Sequence, residues 1–151
     1  MIAEIRRILL VEDNSNDIEL TLAALAEHNL ANEVVVLRDG VEALDYLLSR
    51  GRFRDRPDGP PAFVLLDLKM PRMGGMEVLR EMKADERLRL IPVIMLTSSR
   101  EERDLLESYQ LGVNAYVVKP VDFQHFVEAV KQIGAFWAVL NEPAPGGAAA
   151  K

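Results

Sequence analysis

Five short runs of apolar residues recur along the chain, and they constrain its fold more than any other feature. The runs are rich in Val, Ile and Leu and occupy residues 8–11, 34–37, 63–66, 92–96 and 115–118. Most of them are continuously apolar and do not alternate with polar residues. A strand has such a sequence when both of its faces are covered, as in a parallel sheet between two layers of helices.

Segments with helical periodicity follow these runs. The first carries apolar side chains at i, i+4 and i+7 from Ile18 to Leu25, with Asn14 or Ser15 as its predicted N-cap. Asp122 is the predicted cap of the last segment. The four later patterns cover residues 41–48, 78–82, 105–112 and 123–137. Five strands and five helices in strict alternation predict an α/β protein with a doubly wound parallel sheet.

Composition and charge exclude several classes of protein. Of the 151 residues, 49% are hydrophobic and 28% charged, which is typical of a globular domain. The net charge of −6 argues against nucleic acid or an anionic membrane as the main partner. Residues 1–7 are too short and too charged for a secretion signal, and no apolar run approaches the roughly 18 residues of a membrane span. The absence of cysteine fits a reducing compartment, so we expect a cytoplasmic protein.

Two segments lack helical or strand periodicity. Residues 49–61 are rich in Arg, Asp, Gly and Pro and predict a long loop. We interpret its basic cluster, which Asp55 interrupts, as a solvated surface; the cluster consists of Arg50, Arg52, Arg54 and Arg56. Residues 141–151 are rich in Pro, Gly and Ala and predict a flexible tail. We therefore expect one domain over residues 1–140 and no output domain.

Polar residues follow four of the predicted strands. Glu12 and Asp13 follow the first, Asp67 the third, Thr97 the fourth and Lys119 the fifth. In a parallel sheet the crevice beyond the carboxyl ends of the strands is the usual ligand site. The sequence therefore predicts three carboxylates, a hydroxyl and an ammonium group at one edge of the sheet.

These groups suit phosphoryl transfer. Three close carboxylates repel one another, and a hard divalent cation relieves that repulsion. A carboxylate site without His or Cys suits Mg²⁺. An Asp carboxylate can be the nucleophile that forms an acyl phosphate, while Lys119 supplies a positive charge and Thr97 a hydrogen bond to a phosphoryl oxygen.

Each residue also has a simpler interpretation. Asp13 could be a turn residue, Asp67 could be loop polarity, and Thr97 could cap the next helix. Lys119 could be a surface lysine before a turn. Loop chemistry explains each residue alone more easily than all of them together at matching strand ends.

Four motifs carry a resemblance to the receiver domains of two-component systems. They are ILLVEDN at residues 8–14, LLDLKMP at 65–71, MLTS at 95–98 and KP at 119–120. The similarity extends from about residue 5 to residue 140, and it implies the strand order 2-1-3-4-5. The gap between Asp13 and Asp67 is longer than the family's, and the excess falls in residues 49–61. We expect that excess to leave the site intact.

The resemblance implies a role for each site residue. Glu12, Asp13 and Asp67 would hold Mg²⁺ together with the backbone carbonyl of Lys69. Asp67 would accept a phosphoryl group from a histidine kinase, with Lys119 pairing the phosphate.

Thr97 would be the switch hydroxyl and Tyr116 the aromatic switch residue, whose ring moves inward when Thr97 binds the phosphate. A half-buried packing tyrosine is the alternative for Tyr116. The family also implies a cis bond between Lys119 and Pro120. The shift would alter the surface of the fourth helix, fifth strand and fifth helix, and the chain would be a signalling switch, not an enzyme.

A narrower resemblance is to single-domain regulators paired with phytochrome-type histidine kinases. It is carried by the long loop, by residues 98–104 and by the FW pair at 136–137. The last helix has more apolar residues than one sheet face needs, namely Phe126, Val130, Ile133, Phe136, Trp137 and Leu140. We predict a homodimer through this helix and its neighbours. Ordinary core packing, with a tail folded over it, is the alternative.

Three other functions use similar sheets or motifs. Phosphatases of the haloacid dehalogenase type have an Asp-x-Asp motif whose second carboxylate is an acid/base group. Lys69 stands at that second position after Asp67, so this function is disfavoured. A flavodoxin-like flavin carrier needs a Ser/Thr-rich phosphate loop where this chain has Glu12 and Asp13. A receiver-like module that only binds partners and is never phosphorylated does not need the full acidic set and Lys119, so the presence of both argues against this function.

Overall fold

Five strands form one parallel sheet, as the apolar runs predict. They are β1 (Ile8–Val11), β2 (Val34–Leu37), β3 (Phe63–Asp67), β4 (Val93–Thr97) and β5 (Ala115–Val118). The order across the sheet is β2-β1-β3-β4-β5, and every neighbouring pair is parallel. The computed structural model describes residues 7–26, 34–56, 59–98 and 109–132. The predicted fold class and strand order are confirmed.

Four helices lie within the described residues, whereas five were predicted for the whole chain. They are α1 (Ser15–Ala26), α2 (Gly40–Leu47), α3 (Gly75–Ala84) and α4 (Phe123–Gln132). The predicted helix around Leu105 and Leu106 lies outside the described residues, as does the predicted tail at residues 141–151. Gly112 is the predicted end of the helix around Leu105 and Leu106. It has a φ of 87° and comes shortly after Tyr109 and Gln110, which are helical. No helix in the described part is both long and apolar enough to cross a bilayer.

Side chains cap three of the helices, which explains where those helices begin. Asn14 caps α1, since its Oδ1 accepts a hydrogen bond from the backbone N–H of Asp17 at 2.9 Å. Asp39 caps α2, since its Oδ1 accepts from the backbone N–H of Glu42 at 2.9 Å. Asp122 caps α4, as predicted, since its Oδ1 accepts from the backbone N–H of His125 at 3.0 Å. Each carboxylate or amide oxygen satisfies an N–H that has no partner inside its helix.

The core has two layers, one on each face of the sheet. On one face Leu9, Val64 and Val93 pack with α2 and α3, and on the other Ile8 and Phe63 pack with α1 and α4. Side chains alternate between the faces along a strand. Because both faces are covered, β1, β3 and β4 are buried at every position, and they are continuously apolar up to the polar residues Asp67 and Thr97 that end β3 and β4.

The last helix contributes to this core. Phe126 and Val130 are fully buried against the sheet, and the ring centroid of Phe126 lies 6.1 Å from that of Phe63. These two residues were counted among the apolar excess of the helix, and for them the core interpretation holds. The other four, Ile133, Phe136, Trp137 and Leu140, lie outside the described residues.

The long connection before β3 is partly ordered around one arginine. It contains a 3₁₀ turn at Gly51–Phe53. Arg56 lies with its guanidinium 4.3 Å from the ring centroid of Tyr46 and donates hydrogen bonds to the carbonyls of Tyr46 and Leu47. The Tyr46 carbonyl also accepts from the backbone N–H of Ser49 at 3.1 Å, so Arg56 adds a second hydrogen bond there and one to the carbonyl of Leu47 at the end of α2. The prediction of a purely solvated basic cluster was wrong for Arg56, while Arg54 is exposed as expected.

Candidate functional site

Three carboxylates meet at the carboxyl edge of the sheet. Glu12 and Asp13 directly follow β1, and Asp67 is the last residue of the neighbouring β3. One oxygen from each lies within 4.8 Å of the others. Glu12 is 0% exposed and Asp67 4%, whereas Asp13 is half-buried. They line a cavity of about 190 Å³ together with Thr97 and Lys119, so the predicted residues are brought together.

Lys119 crosses the edge of the sheet to reach these carboxylates. It follows β5, two strands away from β3 and three from β1. Its Nζ lies 3.0 Å from Glu12 Oε1, 3.0 Å from Asp67 Oδ1 and 2.8 Å from Asp17 Oδ2. An ammonium has three N–H donors, and here each has a carboxylate within reach. The surface-lysine interpretation is therefore wrong, because only 11% of this side chain is exposed.

The shared charge changes the acidity of both partners. Burial raises the pKa of Asp67 from 3.8 to about 6, with the charges of Glu12 and Asp13 acting in the same direction and Lys119 opposing them. Burial lowers the pKa of Lys119, but hydrogen bonds to Asp17, Glu12 and Asp67 outweigh it and raise that pKa above its ordinary value. The ammonium is thus held firmly charged, while negative charge remains in excess around Asp67.

This donor set fits a hard divalent cation. Glu12, Asp13 and Asp67 offer carboxylate oxygens, which Mg²⁺ and Mn²⁺ prefer over nitrogen or sulfur ligands. Lys119 supplies one positive charge against them, so repulsion among the carboxylates is only partly compensated. A cation held by the three oxygens would remove the remainder.

The turn after β3 is shaped by close backbone contacts. A Cβ on Gly75 would lie 2.2 Å from the carbonyl oxygen of Asp67, and the Gly75 N–H donates to the carbonyl of Leu68 at 2.9 Å. Only a residue without a side chain lets the start of α3 approach the site so closely. Lys69, predicted to offer its carbonyl to the metal, lies in this turn and lines the cavity.

The two predicted switch residues lie on neighbouring strands. Thr97 ends β4, is 2% exposed and lines the acidic cavity. Tyr116 is 36% exposed on β5, with its ring centroid 5.9 Å from that of Tyr109. The tyrosine pair lines a separate cavity of about 500 Å³. The peptide bond between Lys119 and Pro120 is cis, as predicted.

Two residues of the site were not predicted from the sequence. Asp17 lies in the first turn of α1 and contacts Lys119; its place in the first turn of the helix that follows β1 was the available signal. Arg38 follows β2 and donates to the carbonyl of Asp13 at 3.2 Å and to Ser15 Oγ at 2.8 Å. Arg38 thereby fixes the loop that carries Asp13.

Fold and site together define the class of protein. The chain belongs to the response regulator receiver domain family, whose model matches residues 8–131. It is a receiver domain of a two-component response regulator, a class whose members are phosphoacceptor signalling proteins and in general not enzymes. Receiver domains work with histidine kinases and bind Mg²⁺ or Mn²⁺ at an acidic pocket such as this one.

Its relatives include phytochrome-associated, single-domain regulators. The solved structure of the bacteriophytochrome response regulator AtBRR is 62% identical, covers 93% of this chain and 100% of its own, and has a TM-score of 0.85. Response regulator Rcp1 of Synechocystis sp. is 38% identical over 86% of this chain and 87% of its own length. Its Mn(2+)-bound structure, 36% identical, covers 93% and 99% of the two chains with a TM-score of 0.74. The probable methanogenesis regulatory protein FilR2 of Methanothrix harundinacea is 42% identical over 92% of this chain and 87% of that protein.

Proposed function

We propose that the chain is a cytoplasmic switch in which Asp67 accepts a phosphoryl group from a histidine kinase. Mg²⁺ would be held by Glu12, Asp13, Asp67 and the backbone carbonyl of Lys69. One observation carries the proposal. The Asp67 carboxylate faces the acidic cavity, almost fully buried, with an ammonium 3.0 Å away and two further carboxylates beside it.

The transfer needs a nucleophile and a means of offsetting charge. An oxygen of Asp67 attacks the phosphorus of a phosphohistidine, a P–O bond forms, and the P–N bond breaks with its electrons on the imidazole. The positive charge of Lys119 lies where negative charge accumulates on the phosphoryl oxygens. A bound Mg²⁺ would neutralise the carboxylates and the incoming group.

The output would be a shift between two arrangements of the β4 and β5 edge. Thr97 ends β4 beside the phosphoacceptor, and Tyr116 lies on the neighbouring strand with its ring outward. A new phosphoryl oxygen would accept a hydrogen bond from the Thr97 hydroxyl. Inward movement of Tyr116 would then change the surface of the predicted fourth helix, β5 and α4.

Phosphorylation of Asp67 is tested by intact mass after incubation with a small phosphodonor, with and without Mg²⁺. We expect a Mg²⁺-dependent gain of one phosphoryl group that Asp67→Asn abolishes. Asp55→Asn is the matched control, because Asp55 is an exposed carboxylate in the long connection. No gain in the wild-type protein would favour a module that only binds partners, and retained transfer in Asp67→Asn would rule out Asp67.

We further propose a phytochrome-type kinase as the partner and a homodimer through the last helix and its neighbours. The proposal of a phytochrome-type kinase rests on the phytochrome response regulators among the relatives. The homodimer is supported by the exposed Tyr109 and Tyr116 beside α4. Sedimentation at micromolar concentration, with and without beryllofluoride and Mg²⁺, should give a dimer mass. A monomer under both conditions would refute self-association.

A further inference from the structure

Asp17 holds the ammonium of the site although it lies outside the carboxylate cluster suited to a metal. Its Oδ2 is 2.8 Å from Lys119 Nζ, the shortest of the three contacts that Lys119 makes with carboxylates. The side chain of Asp17 is 29% exposed, whereas that of Glu12 is fully buried. Asp17 thus lies at the mouth of the cavity, and Glu12 and Asp67 form its floor.

Lys119 does not need Asp17 to stay in place. Glu12 and Asp67 already hold it at 3.0 Å each, from the ends of two central strands. The contact with Asp17 occupies the third N–H of the ammonium. Phosphorylation moves the charge of Asp67 onto the phosphoryl oxygens, so the N–H now donated to Asp67 can turn to them, but a second hydrogen bond from Lys119 requires Glu12 or Asp17 to give up its own.

The carboxylate at the mouth is the one that can be exchanged most easily. Glu12 is fully buried, so water cannot replace Lys119 beside its Oε1, and that oxygen would lose its hydrogen bond from the ammonium even with Mg²⁺ bound nearby. Water can replace Lys119 at the partly exposed Asp17 at a much smaller cost. The first turn of α1, fixed by the Asn14 cap, keeps the Asp17 carboxylate at this point.

We propose that Asp17 is a positioning residue that holds Lys119 in the resting state and competes with the phosphoryl group for it. The inference rests on the proposed function of Asp67 as the phosphoacceptor. Asp17 would set how readily the phosphorylated arrangement forms, without binding the metal or the phosphoryl group.

The test compares binding of beryllofluoride, a phosphoryl mimic, to full-length variants at saturating Mg²⁺ by ¹⁹F NMR. Asp17→Asn removes the charge while preserving size, and we expect its half-saturating concentration to fall roughly tenfold, the worth of one hydrogen bond between charged groups. Asp17→Glu keeps a carboxylate and should restore much of the wild-type value. Glu19→Gln removes an exposed charge from the same helix and should change little.

Salt separates competition for Lys119 from simple repulsion by the Asp17 charge. In about 1 M NaCl the screening length is about 3 Å, so repulsion between Asp17 and a phosphoryl group would largely disappear. Competition through a direct contact should keep most of the difference between Asp17→Asn and wild type. Loss of that difference at high salt would overturn the proposal.

The remaining outcomes are also decisive. Equal or weaker beryllofluoride binding by folded Asp17→Asn, with a wild-type protein that binds it, would overturn the role of Asp17 alone. Thermal unfolding of each variant shows that it is folded. A wild-type protein that neither binds beryllofluoride nor accepts a phosphoryl group would refute the proposed function, and the role of Asp17 with it.

Discussion

Replacing Asp67 with Asn should stabilise the protein when no divalent cation is bound. The carboxylate is buried beside Glu12 and Asp13, and these surroundings raise its pKa from 3.8 to about 6 although Lys119 is near. An amide of the same shape removes the charge, and Lys119 keeps contacts with Glu12 and Asp17. The residue proposed to be essential for signalling is therefore one that destabilises the fold.

The size and the pH range of the effect follow from that pKa. The native state binds this proton more tightly than the unfolded chain, so ionisation favours unfolding. The penalty is absent below about pH 4 and complete above about pH 6 to 7. The pKa of Asp67 rises from 3.8 to about 6, and each pKa unit is worth about 1.4 kcal/mol, so the rise corresponds to about 3 kcal/mol of stability. At neutral pH, Asp67→Asn should raise the free energy of unfolding by up to this amount and Tm by roughly 6 to 12 °C.

Urea unfolding in EDTA at a series of pH values from 4 to 7.5 measures the effect. The gap between Asp67→Asn and wild type should open as the pH rises, and Mg²⁺ should narrow it by stabilising the wild-type carboxylates. The control is Asp55→Asn, which changes an exposed carboxylate. A variant no more stable than wild type at pH 7.5, or a gap independent of pH, would refute the argument from buried charge.

Three further substitutions test local features of the fold by urea unfolding. Gly75→Ala should destabilise by about 3 kcal/mol, because its Cβ would overlap the carbonyl oxygen at the end of β3. Gly74→Ala should cost about 1 kcal/mol or less, because its Cβ would lie 3.3 Å from the carbonyl oxygen of Leu68, a close contact that a shift of a few tenths of an ångström relieves. Similar losses in the two would contradict the steric reason. Arg56→Met should cost about 1 kcal/mol, because it removes the hydrogen bonds that the guanidinium donates to the carbonyls of Tyr46 and Leu47, and exposed Arg54→Met should be nearly neutral. Asp39→Ala should cost about 1 kcal/mol as the loss of an N-cap, and an unchanged midpoint would show that the cap is dispensable.

The fold and most of the site could be predicted because both depend on short-range signals. A strand covered on both faces is continuously apolar, so the five runs marked the sheet directly. The residues that end parallel strands share one edge, so Glu12, Asp67 and Thr97 could be grouped before any distance was known. The local cap residues Asn14 and Asp122 followed from the same kind of signal.

The contacts that were missed depend on long side chains crossing the structure. Asp17 and Lys119 are 102 residues apart, and their contact arises because a lysine from the edge strand reaches past β4 and β3. The sequence also gave no sign that Arg56 would turn back onto α2, since its charged neighbours are typical of a solvated loop. Similarly, counting apolar residues on the last helix could not show that Phe126 and Val130 are core.

The long connection between α2 and β3 lies at the amino ends of the strands, whereas the acidic cavity lies at their carboxyl ends. It leads from α2 into the start of β3, and Ala62 at its end donates to the carbonyl of Arg7 at the start of β1. A chemical label there would be separated from the phosphoacceptor by the full length of the strands. Because the sequence has no cysteine, Arg54→Cys would create a single thiol for a fluorescent dye. Such a dye could follow complex formation with a kinase without altering the chemistry at the other edge.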